Sequence, residues 1–231
     1  MFVYVRAGRP QVISQSLDGT PEGHLAQANT GTCELCKYQA SKSQMTRHLM
    51  SCAATYNARG ASTVLVQLRI EAAGDPRYWL YVEAQTGATL QQLDAFLRRV
   101  WLECCGHMSA FRVGQREVAK RSAIGQVFGR KGLRFTYDYD FGSTTSLGGQ
   151  VLGERQGSVG RAALRLLARN DPLPWPCEMC TRPATVVCPF CIDAGPWLFC
   201  QEHAQEHPCA KEEVYLPVVN SPRMGVCAYG A

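Results

Sequence analysis

Hydrophobic residues take up a regular period in only a few stretches of this chain, and those stretches set its expected frame. In "TVLVQLRI" Val64, Val66, Leu68 and Ile70 occupy every second position, the period of a half-buried strand. "RYWLYVEA" predicts a second strand, and "AAGDP" supplies the turn between them. A helix follows. Thr89 is a good N-cap residue and Gln92 stands three positions on, the spacing of a capping box. Leu90, Leu93, Phe96, Leu97, Val100, Trp101 and Cys104 then fall on one broad apolar face. "MSAFRV" and "LRFTYDYDFG" predict further strands. "GSVGRAALRLLARN" reads as a second helix closed by Asn170 and Pro172, with Arg161, Arg165 and Arg169 as a basic stripe at i, i+4 and i+8. That stripe could face phosphate, or pair with Glu202, Glu206, Glu212 and Glu213 near the end of the chain.

Around this core, residues 1–30 show little periodicity and are expected to form an extension with one short strand. "AATYNARGAS" reads as a linker and "NDPLPWP" as a boundary. The expected fold class is α+β. A small mixed sheet with packed helices forms a core over 62–170, flanked by a ββα-like zinc finger at 31–55 and a cross-brace zinc module with its tail at 171–231.

Cysteine spacing changes the picture most. Cys33, Cys36, His48 and Cys52 have the spacing C-x2-C-x11-H-x3-C, and His48 and Cys52 share one side of a predicted helix. Met45 and Tyr38 suit the apolar and aromatic positions of a small finger. On such a finger Ser41, Gln44 and Arg47 take the positions that face DNA, though one finger covers only about three base pairs. Further on, Cys177, Cys180, Cys188, Cys191, Cys200, His203, His207 and Cys209 form four consecutive pairs. Eight ligands suffice for two tetrahedral zinc ions. In a cross-brace the first and third pairs hold one ion, and the second and fourth hold the other. Treble clefs with one empty pair are the alternative. The expectation is three zinc ions per chain. Cys104, Cys105 and Cys227 fall outside these clusters and read as small buried hydrophobes.

The same residues exclude some chemistries. Each predicted site has four protein ligands, whereas a catalytic zinc keeps a position open. "PCEMC" matches half of the zinc-deaminase signature, but His24, His48 and His107 are followed by "LA", "LM" and "MS", so the H-x-E half is missing. On "FTYDYDFGS" Asp138 and Asp140 share a strand face about 7 Å apart. They are the one candidate acid pair, against the plainer reading of a solvent-facing row above an aromatic core face.

Charge separates the chain into two parts. Residues 1–170 carry 21 Lys/Arg against 12 Asp/Glu, and residues 171–231 carry 3 against 7. The positive charge concentrates between Arg112 and Arg134, with Arg116, Lys120, Arg121, Arg130 and Lys131 among glycines and only Glu117 opposing. A basic, glycine-punctuated loop suits phosphate, and equally suits plain solvation. The chain is 46% hydrophobic, enough for a core. No apolar run reaches the roughly 18 residues of a membrane span, and Arg6, Arg9 and Pro10 interrupt the start. The expectation is a soluble, cytoplasmic protein with no membrane partner.

Taken together, "LRIEAAGDPRYWLYVEA", "TLQQLDAFLRRVW", "FTYDYDFGS", "LGER" and "LPVVNSPRMGVCAYG" resemble the plasmid pRiA-four-b ORF-three-like family, some members of which carry a transposon-passenger, resolvase-like label. The resemblance spans about residues 63–231. It implies an α+β core of two strands, a helix and further strands, and it supplies no mechanism. Ser143 and Thr144 depart from the family's "YDFGD" followed by an aromatic, which removes an acidic group. No serine-recombinase pattern is present. The functional expectation is a non-enzymatic zinc protein contacting nucleic acid, in a mobile-element or plasmid setting. A zinc-stabilised protein–protein adaptor is the alternative, and an enzyme using Asp138 and Asp140 ranks last.

Overall fold

The finger segment is built into the main sheet rather than hung beside it. In the computed structural model, which describes residues 29–193, 195–212 and 215–230, β1 (Thr30–Cys33) and β2 (Gln39–Ser41) form a hairpin that leads into α1 (Lys42–Thr55). β1 also pairs with β9, far along the chain, at Gly31–Asn170, Thr32–Arg169 and Cys33–Ala168. The extension, with the strand expected near its start, lies outside the described residues.

Next come β3 (Thr63–Ala72), β4 (Trp79–Gln85) and α2 (Leu90–Leu97), which runs into one π-helical turn, Arg98–Leu102. The Thr89–Gln92 capping box forms as expected, with the Thr89 hydroxyl accepting from the Gln92 N–H. The chain continues through β5 (Ser109–Val113), β6 (Arg116–Val118), α3 (Ile124–Phe128), β7 (Arg134–Tyr139), β8 (Thr145–Gly157) and β9 (Leu164–Asn170). These strands form a nine-stranded sheet, β2-β1-β9-β4-β3-β8-β7-β5-β6, in which every described pairing is antiparallel. The mixed α+β character expected from sequence is present, but the sheet is large and antiparallel rather than small and mixed.

The two faces of β4 explain the layering. Leu80, Val82 and Ala84 face α2 and the core built from Val66, Leu68, Ile70, Leu93 and Trp101. Trp79 and Tyr81 face the other way, against Met45, Leu49 and Ala53 of α1. A central strand buried on both sides has little use for alternation, and Trp79–Ala84 are all essentially inaccessible. Gly31 admits the hairpin to this layer: a Cβ there would come within 2.3 Å of the Trp79 ring and of the Arg169 carbonyl.

The expected second helix over 157–170 is not formed. Leu164–Asn170 is the strand β9, held between β1 and β4. Its leucines and alanine bury on both faces, so its pattern does not alternate, and pairing on both edges overrides the helix preference of Leu, Ala and Arg. The basic stripe dissolves with the helix. Arg165 pairs with Glu83 at 2.8 Å, and Arg169 donates to the Asn220 carbonyl. Among the described residues, neither pairs with Glu202 or Glu206 of the C-terminal module.

Beyond β9, a small three-stranded sheet carries that module: β10 (Val186–Val187), β11 (Leu198–Phe199) and, after α4 (Gln201–Glu206) and a short 3-10 segment (Pro208–Glu212), β12 (Leu216–Pro217). The tail then returns to the core. The Asn170 amide donates to Asn220 Oδ1, the Asn220 amide donates back to the Asn170 backbone carbonyl, and the Ser221 hydroxyl donates to the Trp101 carbonyl at 2.6 Å. Among the described residues no helix is long and apolar enough to cross a membrane.

Glu83 is the one charged side chain in this double-faced strand. It is fully buried and receives Arg155 and Arg165, while Arg165 also caps the C-terminal carbonyls of α1 at Ala53 and Tyr56. Removing one partner of a buried charge cluster leaves the others uncompensated. Glu83→Ala is therefore expected to destabilise the protein by about 3–5 kcal/mol in urea unfolding. A change under about 1 kcal/mol would show that the arginines find water instead.

Candidate metal centres

Four groups of cysteine and histidine side chains converge in the folded chain, and in each the ligand atoms all lie within 4.8 Å of one another. A tetrahedral zinc with bonds of about 2.3 Å to sulfur and about 2.0 Å to nitrogen sets its ligands roughly 3.5–3.8 Å apart. The observed separations bracket those edges.

In the finger, Cys33 ends β1, Cys36 lies in the knuckle, and His48 and Cys52 come from α1. Cys33 and Cys52 sulfurs are 3.9 Å apart, and Cys36 Sγ is 3.2 Å from His48 Nε2. The Lys37 N–H donates to the Cys33 carbonyl with Lys37 in the left-handed region (φ 64°), which turns the knuckle tightly enough to bring the cysteines together. Tyr38 packs on the His48 ring at 4.6 Å.

In the C-terminal module, Cys177, Cys180, Cys200 and His203 form one group, and Cys188, Cys191, His207 and Cys209 form another. The first and third pairs thus join, as do the second and fourth, in the alternation of a cross-brace. Cys200 is the N-cap of α4 and His203 lies within it, so this short helix presents two ligands at once. His203 Nδ1 is 3.4 Å from both Cys177 and Cys200 sulfurs, and Cys180 is 3.9 Å from Cys200. Cys191 lies 3.3 Å from His207 Nε2 and 3.9 Å from Cys209. Arg182 donates to Cys180 Sγ and pairs with Glu202 beside it.

No cysteine is in a disulfide. Sulfurs at 3.9 Å are far beyond the roughly 2.05 Å of an S–S bond. Electrostatics point the same way. Burial pushes the Cys52 thiol up to about 12, and the neighbouring Cys36 and Cys33 add to it. Burial likewise raises Cys191 to about 11, with Cys188 and Cys209 contributing. At Cys177 burial opposes ionisation, yet the N–H groups of Cys200 and Met179 and the His203 imidazole bring it down to about 6. Thiols crowded this way cannot all ionise by themselves, and a divalent cation at their centre removes the penalty. Each group could hold a metal ion.

A fourth group escaped the sequence reading: Cys104, Cys105, His107 and Cys227. The expectation of small buried hydrophobes fails here, because Cys105 and Cys227 are exposed and Cys104 is only half-buried. No sequence spacing signals this group, since Cys227 lies 122 residues beyond Cys105.

The residues proposed to face nucleic acid are scattered. Gln44 is exposed but closes the capping box of α1, its Oε1 accepting from Ser41. Arg47 is exposed on the same helix. Arg116, Arg121, Arg130 and Lys131 are exposed, and no ion pair involves them among the described residues. Lys120 is occupied: it donates to Asp94 at 3.2 Å and to Ser109 at 2.6 Å. A groove of about 600 Å³ runs beside α1, lined by residues that include Thr46, Leu49, Met50, Lys131 and Arg155. Arg116 lies on β6, the margin of the sheet opposite the finger hairpin.

The acidic pair is divided. Asp138 stays in β7, bonded to Arg112 and Ser146. Asp140 leaves the strand in a left-handed conformation (φ 64°) and accepts from buried Arg223 at 2.5 Å. The Arg223 hydrogen bond holds the Asp140 carboxyl down at about 2.

No protein-family model matches the chain. No curated protein matches its sequence. Among solved structures, the crystal structure of a protein of unknown function from Methanosarcina mazei Go1 is similar over 46% of this chain and 68% of that one, at 15% identity and a TM-score of 0.40.

All four groups consist of three cysteines and one histidine. With zinc loaded, X-ray absorption at the zinc edge is expected to give an average shell of about three sulfurs near 2.3 Å and one nitrogen near 2.0 Å. A shell dominated by oxygen or nitrogen would contradict the ligand assignment.

Proposed function

We propose that this chain is a non-enzymatic binding protein, braced by zinc, whose basic surface contacts the phosphate backbone of nucleic acid. The observation that carries the reading is the contrast between its arginines and lysines. Arg98, Arg112, Lys120, Arg155, Arg165 and Arg223 are all consumed by carboxylates inside the fold. Arg47, Arg116, Arg121, Arg130 and Lys131 remain in solvent with no ion pair among the described residues. Lys131 also stands on the rim of the groove beside α1.

Zinc in this reading is a brace rather than a catalyst. Each set of four ligands fills a tetrahedral site and leaves no position for a substrate or an activated water. Asp138 and Asp140 both bind arginines, which supports a structural part for them over acid–base work.

The geometry limits how such a protein would read its target. β2 and β6 stand at opposite margins of the sheet, eight strand spacings apart, or at most about 40 Å. That span separates the outer strand of the finger hairpin from the outer strand of the β5–β6 hairpin, whereas one finger covers only about three base pairs. Phosphate contact spread over the surface fits better than base reading by α1, whose Met45 and Leu49 are buried against the sheet. A protein adaptor is the second reading. Its support is the exposure of two large apolar side chains, Met179 and Phe190, on the acidic C-terminal module.

Binding to a random-sequence duplex across ionic strength tests the first reading. Affinity should fall linearly on a log–log plot, with a slope of about −0.9 per phosphate contact. Replacing Arg130 and Lys131 together by Ala should weaken binding evenly across sequences and flatten the slope by about 2. No detectable binding to duplex or single strands at low salt would contradict it.

A further inference from the structure

The chain has twelve cysteines, and the three groups expected from spacing use nine of them. The other three meet where the tail rejoins the core. Cys104 and Cys105 follow the π turn that ends α2, His107 leads into β5, and Cys227 comes from the last described turn of the chain. We propose that Cys104, Cys105, His107 and Cys227 bind a fourth zinc ion, which clamps the tail onto the sheet.

The ligand set matches that of the other three groups, and all four atoms lie within 4.8 Å. Cys227 Sγ lies 3.3 Å from Cys105 Sγ and 3.7 Å from His107 Nε2. The first distance is much longer than a disulfide and slightly shorter than a tetrahedral edge, so a small outward movement of either exposed thiol admits the ion.

The surroundings are those of a built site. His107 turns Nε2 to the cluster and presents Nδ1 to Asp140 Oδ1 at 3.6 Å. A carboxylate behind a ligating imidazole fixes its tautomer and orientation, a recurrent feature of zinc sites. Asp140 is held by Arg223, which is fully buried. Arg223 in turn donates to Cys104 Sγ at 3.4 Å, to the Ser143 carbonyl and to Thr145 Oγ1, and its guanidinium lies over the Tyr139 ring. The Arg223 Nε–H donated to Cys104 Sγ favours a thiolate there, as a zinc ligand requires.

Backbone conformation agrees. The three described non-glycine residues with positive φ are Lys37, Asp140 and Cys227. Lys37 shapes the finger knuckle, while Asp140 and Cys227 (φ 55°) both belong to this junction. Two uncommon conformations on either side of the His107 ring persist only where surrounding contacts over-determine them.

The sequence "YDYDFG" thereby finds a role. Asp140 is a positioning residue for His107 and for the tail arginine, while Asp138, bonded to Arg112 and Ser146, serves as its neighbouring control.

Native mass spectrometry of the full chain, purified under reducing conditions with zinc, tests the proposal. Four zinc ions are expected on the unaltered chain, and three on each of Cys105→Ser and Cys227→Ser, with circular dichroism unchanged. Both replaced side chains are exposed, so neither substitution disturbs core packing. Asp140→Asn should weaken the fourth ion alone by about 10–100-fold in chelator competition, and Asp138→Asn should leave it unaffected. Three ions on the unaltered chain, four on Cys227→Ser, or a Cys105–Cys227 disulfide in place of the fourth ion would overturn it.

Discussion

Three cysteine sulfurs and an imidazole nitrogen within 4.8 Å of one another could hold a cation, and in the proposed reading the finger hairpin and the C-terminal module rest on that constraint. The finger hairpin contributes only four and three residues of strand, yet it extends the sheet through β1–β9 pairing. The C-terminal module has strands of two residues each. Pieces this small cannot bury enough apolar surface to order themselves, and metal–ligand bonds are the usual substitute. In the middle of the sheet the situation is reversed. β3, β4 and β8 are long, and β4 is buried on both faces, so ordinary hydrophobic packing suffices there.

Buried charge ties these regions together. Glu83 gathers Arg155 and Arg165, and through Arg165 reaches the end of the finger helix. Arg223 gathers Asp140, Thr145 and Cys104, and so joins the tail to the β7–β8 connection, to the start of β8 and to the turn after α2. Each is a charged side chain with no access to water that bridges segments distant in sequence. Removing one partner of such a cluster leaves a buried charge uncompensated. The positive charge left outside these clusters is the surface from which the nucleic-acid reading is built.

Much of this was legible in the sequence, for definable reasons. β3, β4, α2, β5 and β7 follow from periodicity and from the Thr89–Gln92 capping box. Regular C-x2-C and C-x2-H spacings point to the residues that gather in the finger and in the C-terminal module. Other elements were hidden by the same physics that makes them work. β9 reads as helix because a strand buried on both faces has no alternation. No expected element covers β8, whose Gly148, Gly149 and Gly153 break up any hydrophobic period; Gly149 makes room for the Phe135 ring, and Gly153 (φ 156°) lies at the bulge opposite Gln67. The fourth cysteine group has no sequence spacing at all, since the fold alone brings Cys227 to Cys104 and Cys105.

The central claim is that metal orders the margins while the mid-sheet core stands on packing. Amide hydrogen exchange before and after metal removal, under reducing conditions, tests it most directly. Stripping the metal should abolish protection in Thr30–Ser41 and across β10, β11 and β12, while β3 and β4 keep theirs. Protection at the margins that survives complete metal removal would contradict the account.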